Sequence, residues 1–568
     1  MTELNRRTML SVTALSAIAP VAGGRAAAGS KTWPAGTVAT LPDREALRRA
    51  LHPAVDRFFY LAEAGREGLF RCVEGPDPTA GDPLQGLHVA SATPGFFYAR
   101  EWDGIHGRPE WFGARTNDSA FDCADAIEAC YALCPVTELS QADYGIHRTL
   151  HFQQSWRTVR GLGSWGTGRG HGTRIVLQAT APDIHTADIL IVGATEKPGS
   201  EADMVTENHF SNFTLVRDGA CTPHPSGDIT RYPTGMRARY VLRCRFLGIT
   251  SLESSVGFYI GGVVYTKFDD CLAQRLLPGT TKQGDRWVGY YLNGHISFGY
   301  AGGNASLYLN RCVTADQNGA HVDPMGLQAA GAFVDSFIDH FESARIDTGI
   351  AVSADGARGF GQTIDLHIRN AVLDGCGKSG IDIDLDATSS AAVEIVDPYV
   401  ASGGRGGLYG IAVRDGAGLV TITGGQVHGD FSGGSLYFNR TRAIRVQGTK
   451  IEQANRPVMV GEASGLILEP QINNYAMTSP NFAIHCENLT RSIVRPVVIG
   501  AAGPAFVGGI SLGPASNHCQ IDGTAIDPGC FSAPDPRYKI WFAGRDARGG
   551  EAGDAFLGAG NILTGVTG

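Results

Sequence analysis

"KSGIDIDLDA", residues 378–387, sets Asp382, Asp384 and Asp386 at every second position, alternating with Ile381, Ile383 and Leu385. A period of two is the pattern of a half-buried strand, with one face apolar and the other facing water. The phrase recurs. "GFYIGG" from 257, "GYYLNG" from 289, "GAFVDS" from 331, "GIAVSA" from 349, "GIDIDL" from 380 and "GIAVRD" from 410 align without gaps. "GMRARY" from 235, "SLYFNR" from 435, "PVMVGE" from 457 and "NFAIHC" from 481 follow the same pattern. Between them lie runs such as "TIDLHIRNAVLDG", "AAVEIVDPYV" and "LVTITGGQVHG", so each period of about 20 to 30 residues holds two or three short strands. That period predicts a β-solenoid. A propeller blade needs four strands and a longer repeat, and a leucine-rich repeat carries its own Leu and Asn ladder.

Composition agrees with an all-β chain. Of 568 residues, 43% are hydrophobic and 18% charged, which suits a globular protein with a large core. The 76 glycines, recurring with Asn and Asp between short apolar runs, call for many tight turns and little helix. A net charge of −9 argues against a nucleic-acid partner. The first residues read as an export signal over 1–28: a basic start, the apolar "SVTALSAIAPVAG", then Ala26 and Ala28 in an A-x-A cleavage pattern. No other segment nears the roughly 20 apolar residues a membrane-spanning helix needs. The twelve cysteines are widely spaced and lack a C-x-x-C pair, so most are expected as buried thiols, with no metal site.

Two resemblances sharpen this reading. Arg6 and Arg7 ahead of the apolar run resemble the twin-arginine export signal of bacteria, with Met9 where Phe is usual; this implies a periplasmic or extracellular protein. "PEWFGARTNDSAFDCADAIEACYALC", residues 109–134, resembles the entrance of the right-handed parallel β-helix proteins of the pectate-lyase-like superfamily, at Phe112, Gly113, Ala114, Asp122, Ala124, Ala126, Ile127 and Ala129. "TND" stands where that family has an Asp-Gly pair. The resemblance covers about 110 to 525 and implies a right-handed parallel β-helix over 109–530. "ADAIEACYAL" is expected as a capping helix, with Ala126, Ile127, Cys130 and Leu133 closing the solenoid's end. Residues 31–108 read as a small N-terminal module whose "GFFYAREWDG" resembles pieces found in tailspike-like proteins, and 531–568 as a C-terminal cap or tail.

The gapless alignment also assigns outward columns. One holds Tyr259, Tyr291, Phe333, Ala351, Asp382, Ala412, Tyr437 and Met459; its neighbour holds Gly261, Asn293, Asp335, Ser353, Asp384, Arg414, Asn439 and Gly461. An exposed stripe with aromatics at one end and carboxylates in the middle suits a sugar chain, which needs flat apolar faces and acids near the bond to be cut. On one strand, Asp382 and Asp384 have α-carbons about 6.6 Å apart; two rungs would separate Asp335 and Asp384 by roughly 9.6 Å. Both fall in or near the window in which two carboxyl groups admit a water beside a glycosidic bond.

The expectation is therefore a glycoside hydrolase with Asp384 as acid, Asp382 or Asp335 as base, and Glu342 as a substitute for one of them. Arg414, Tyr259, Tyr291, Asn293 and Tyr437 are expected to bind substrate, and no cofactor is needed. The insertion "TADQNGAHVDPMG", 314–326, is a candidate groove wall through Asp316, His321 and Asp323. A polysaccharide lyase is an alternative, with Arg414 assisting and Asp335, Asp382 and Asp384 holding calcium. A fructan-type transglycosylase would share the carboxylate pair. A non-catalytic, tailspike-like glycan adhesin is the remaining alternative; it is expected as a trimer, where an enzyme would be a monomer or another homo-oligomer.

Overall fold

A computed structural model of the chain describes residues 38–565 except 51–53, 165–171, 220, 222–227, 276–285, 296–302, 317–321, 354–362, 386–389, 417, 475–480, 501–505, 532–538 and 547–549. The stretch read as an export signal, with Arg6 and Arg7, falls outside the described residues together with Asp386 and His321, as does the side chain of Asp316.

The chain coils as an all-β, right-handed parallel β-helix with three faces. One turn shows the plan: Ser379–Asp384 on the first face, Ser390–Val396 on the second, Tyr399–Ala401 on the third, then Tyr409–Gly416 back on the first, one rung higher. First-face strands stack into a 15-stranded sheet, parallel except for its last pair. The other two faces merge into a 28-stranded sheet. They merge because single residues turn the corner between them. Asp270, Arg311, His340, Asn370 and Asp397 all take φ near +50°. Each donates its backbone N–H to a carbonyl of the next rung, as Asn370 does to Val396 at 2.9 Å. The backbone N–H groups of these corners are thus hydrogen-bonded like those of the strands.

Inward positions build the core. Phe258, Ile260, Tyr290, Leu292, Ile350, Val352, Ile381, Ile383, Ile411 and Val413 are fully or almost fully buried. Phe210, Phe246 and Phe268 on the second face stack ring on ring, and Phe152, on the end strand of the first-face sheet, continues the stack, with successive centroid distances from Phe152 of 5.9, 5.2 and 4.5 Å. The helix Ala124–Leu133 covers the open end of this column, with Tyr131 stacked 4.2 Å from Phe152. Tyr131 takes the covering place expected of Leu133, which is only partly buried, because an aromatic ring continues the stack. Ahead of it, five strands between Ala39 and Arg100 form a separate small sheet around Leu47, Phe59, Phe70 and Tyr98. A second helix, Gly550–Gly558, puts Phe556 against Phe542 near the C-terminal end of the first-face sheet. All twelve cysteines are buried free thiols, and among the described residues no helix is long and apolar enough to cross a membrane.

Register corrects two of the aligned runs. Tyr291 pairs with Gln328 and Asn293 with Ala330, so the first-face strand of that rung is Val322–Gly331, not "GAFVDS". Phe333 is fully buried rather than outward, and Asp335 turns a corner at φ +49° onto the second face. "VDPMGLQAAG" carries Pro, Gly and Ala where the other rungs alternate, and "GAFVDS" imitates the alternation one corner later. "NFAIHC" is displaced by two residues: Val458 pairs with Ile484 and Met459 with His485.

Candidate functional site

The site begins with the carboxylate row. Ile381 and Ile383 point into the core and turn Asp382 and Asp384 outward. On the next strand Ala412 faces Asp382 and Arg414 faces Asp384. Because alanine leaves room above Asp382, Arg414 reaches diagonally across the rung. Its Nη2 donates to both Asp382 carboxylate oxygens at 2.8 Å, and its Nε donates to Oδ1 at 3.2 Å. Asp384 Oδ2 lies 4.0 Å from the same Nη2. One guanidinium thus offsets the like-charge crowding of two carboxylates.

The two acids sit in unlike surroundings. Asp382 is 20% exposed and charge-paired, whereas the Asp384 side chain is 52% exposed. Partial burial, assisted by Asp415 and Asp382 against the pull of Arg414 and Arg440, holds the Asp384 carboxyl above its ordinary value of 3.8. Tyr409 and Tyr437 stack at 4.3 Å beside this pair, and burial together with the Tyr437 ring pushes the Tyr409 phenol up. On the following rungs Arg440 donates to Asp415 at 2.7 Å and opens a groove of about 420 Å³ lined by Arg442, Glu462 and Asn488.

The expected residues separate accordingly. Asp382, Asp384, Arg414 and Tyr437 come together on three successive strands. Asp335 does not join them; it lies past a corner, where Ser306 Oγ is 3.5 Å from its carboxylate. Asp335 therefore supplies neither a base nor a calcium ligand beside Asp384, and the three-aspartate set does not form. Glu342 is exposed on the third face, paired with Val313 and Val372. Tyr259 and Tyr291 keep their column, four and three rungs away, but are only 2% and 4% exposed. Tyr232, Ala330, Ile229 and Met325 pack over them in a second, external core.

Arg237 covers the Tyr259 ring at 4.2 Å while paired to Asp188, and Asn293 donates to the Tyr259 hydroxyl. These residues hold a returning segment in place and offer no open aromatic face to a ligand. Asp323 is paired with Lys378. Tyr409, Asp415 and the groove beyond them escaped the sequence reading. Tyr409 directly precedes the "GIAVRD" run, where an aromatic could have been noticed; the groove has no such signal.

No family model and no curated protein matches the chain. Solved structures do. A tailspike protein mutant of Escherichia coli bacteriophage HK620 in complex with a hexasaccharide aligns at 10% identity over 79% of this chain and 77% of its own, with a TM-score of 0.58. A double mutant of the HK620 tailspike without a named ligand aligns at 11% identity over 86% and 85%, with a TM-score of 0.58. A double mutant in complex with a pentasaccharide aligns at 11% identity over 79% and 78%, with a TM-score of 0.56. At such identity the likeness concerns architecture, and it places this chain among proteins with the parallel β-helix fold of phage tailspikes.

Proposed function

We propose that the protein is an exported polysaccharide-binding β-helix that hydrolyses its glycan, with Asp384 as general acid and Asp382 as general base. The observation that carries this reading is the unlike environment of two carboxylates two residues apart on one rigid strand. One has both of its oxygens bound by Arg414; the other is half-exposed, with its carboxyl held above the ordinary value by partial burial. Environments that separate two acids in this way assign the roles of acid and base. Arg414 can pass its hydrogen bonds to a substrate hydroxyl, freeing Asp382 to take a proton from water, while Tyr409 and Tyr437 offer aromatic surface beside the bond. Transfer to a sugar hydroxyl instead of water would use the same pair.

A second reading has its own support. The grip of Arg414 occupies both carboxylate oxygens of Asp382, which favours a glycan-binding protein without catalysis, of the kind a trimeric adhesin would be. Kinship with the pectate-lyase-like superfamily and a twin-arginine signal at Arg6 and Arg7 belong to this proposal and fit delivery outside a bacterial cell.

The test is incubation of the mature protein with neutral and uronic polysaccharides, following reducing ends and the ultraviolet absorbance of unsaturated products, with and without chelator. New reducing ends without absorbance, lost in Asp384→Asn, are expected. Absorbance that chelator abolishes would overturn hydrolysis in favour of elimination. Binding without cleavage would establish the second reading.

A further inference from the structure

Around one corner from Asp382 and Arg414, on the same turns of the solenoid, lies a cavity of about 580 Å³ that the proposed chemistry does not use. It is built by a missing side chain. On the third face Asp374, Ala401 and His428 stand in register on three successive strands. Leu373, Val400 and Val427 alternate with them and fill the core. Alanine on the middle rung leaves a notch between an outward carboxylate and an outward imidazole, which lie two strand spacings, about 9.6 Å, apart.

The walls differ in chemistry. Tyr399, 38% exposed, stands on one side. On the other the chain returns to the first face through Gly403, Gly404 and Gly406, with φ of +57°, +75° and +66°. A Cβ at Gly404 or Gly406 would meet nothing within 4 Å, so this wall is low and open. The same segment leads directly into Tyr409, joining the notch to the stacked tyrosines of the site. Asp430, accepting from Asn455 at 2.7 Å, closes the third side. The volume lies within the range of small-ligand sites.

We infer that this notch is a subsite for a neutral sugar unit of the glycan proposed above, on which the inference rests. Tyr399 would take the apolar face of a pyranose ring, and Asp374 and His428 its hydroxyls from opposite ends. The charge pattern selects against uronates. Asp374 and Asp430 line the notch, and Glu452 stands 3.7 Å behind His428, so a carboxylate sugar meets like charge.

The experiment uses the full mature chain on immobilised neutral, N-acetylated and uronic oligosaccharides, with Tyr399→Ala, Asp374→Ala, Arg414→Ala and the plugging variant Ala401→Phe. Tyr399 and Asp374 are exposed, so unchanged thermal midpoints for their alanine variants certify the fold. Wild-type binding to a neutral glycan, weakened roughly tenfold by Tyr399→Ala and by Asp374→Ala, supports the inference. Binding that Arg414→Ala weakens while all three notch variants leave it intact overturns the notch and spares the proposed site. Binding to uronic glycans alone overturns the notch's selectivity, and binding to no glycan overturns both readings.

Discussion

A double-mutant cycle on Asp382 and Arg414 tests the claim that one guanidinium makes the acidic row tolerable. The pair is intermediate between surface and core, with side chains 20% and 35% exposed and two contacts of 2.8 Å. Exposed pairs contribute under about 1 kcal/mol, whereas breaking a fully buried one costs about 3–5 kcal/mol. Charge-assisted bonds of this kind fall at roughly 1.5–3 kcal/mol. Arg414→Ala strands a mostly buried carboxylate and is expected to cost about 2 kcal/mol. Asp382→Ala is expected to cost only about 1 kcal/mol, because Arg414 can turn to Asp384, 4.0 Å away. The double variant should then be no worse than Arg414→Ala alone, leaving a coupling of about 1 kcal/mol that persists in high salt. Urea unfolding at fixed pH, with and without added salt, measures all four corners. Additive costs, with coupling below about 0.3 kcal/mol, would refute the reasoning.

Three other outcomes follow from the same geometry. Asp384 binds its proton more tightly folded than unfolded, so its contribution to stability is lost as pH rises from about 3.8 through the folded value. Asp384→Asn is therefore expected to be more stable than wild type near neutrality and no more stable in acid; thermal midpoints across pH check this, and a uniform gain would contradict it. Phe246, fully buried between Phe210 and Phe268, should cost about 3–5 kcal/mol on replacement by alanine and distinctly less by leucine, measured by denaturant midpoint. Tyr265 turns a corner at φ +48° while 56% exposed, so Tyr265→Val should be about 1–2 kcal/mol less stable than Tyr265→Gly in the same assay.

The sequence made the solenoid legible wherever the side-chain period was intact. The runs at 235, 257, 289, 349, 380, 410, 435 and 457 fall in register because apolar residues at alternate positions have only one way to face the core. The rung at 322–331 was lost because Pro324, Gly326 and Ala329 carry no β-strand signature, and its place among the strands comes from its neighbours above and below. Asp335 was misplaced with it. Corner residues divide in the same way. Asn370, Asp270 and Asp397 tolerate positive φ and could be read as turns, but Arg311 is held there by the rungs on either side. The burial of Tyr259 and Tyr291 was invisible for a different reason: the segment with Ile229 and Tyr232 folds back over the sheet, and no local period records where a returning loop lands.

A solenoid separates what holds it together from what it presents. Each turn touches only its neighbours, and its inward positions need only be apolar and of suitable volume, which Ile, Val, Leu and Phe satisfy interchangeably here. A shared architecture at 10–11% identity is the expected consequence, and it explains why the likeness to tailspikes carries the fold and leaves the site free to differ. Outward residues on consecutive strands, such as Asp382, Ala412 and Tyr437, form columns whose members can change one rung at a time without disturbing the core. Small residues then become as informative as charged ones. Ala412 gives Arg414 its diagonal path to Asp382, and Ala401 opens the notch between Asp374 and His428. Sites on such a scaffold should be sought where a column of large outward side chains is interrupted by an alanine or a glycine next to a charge.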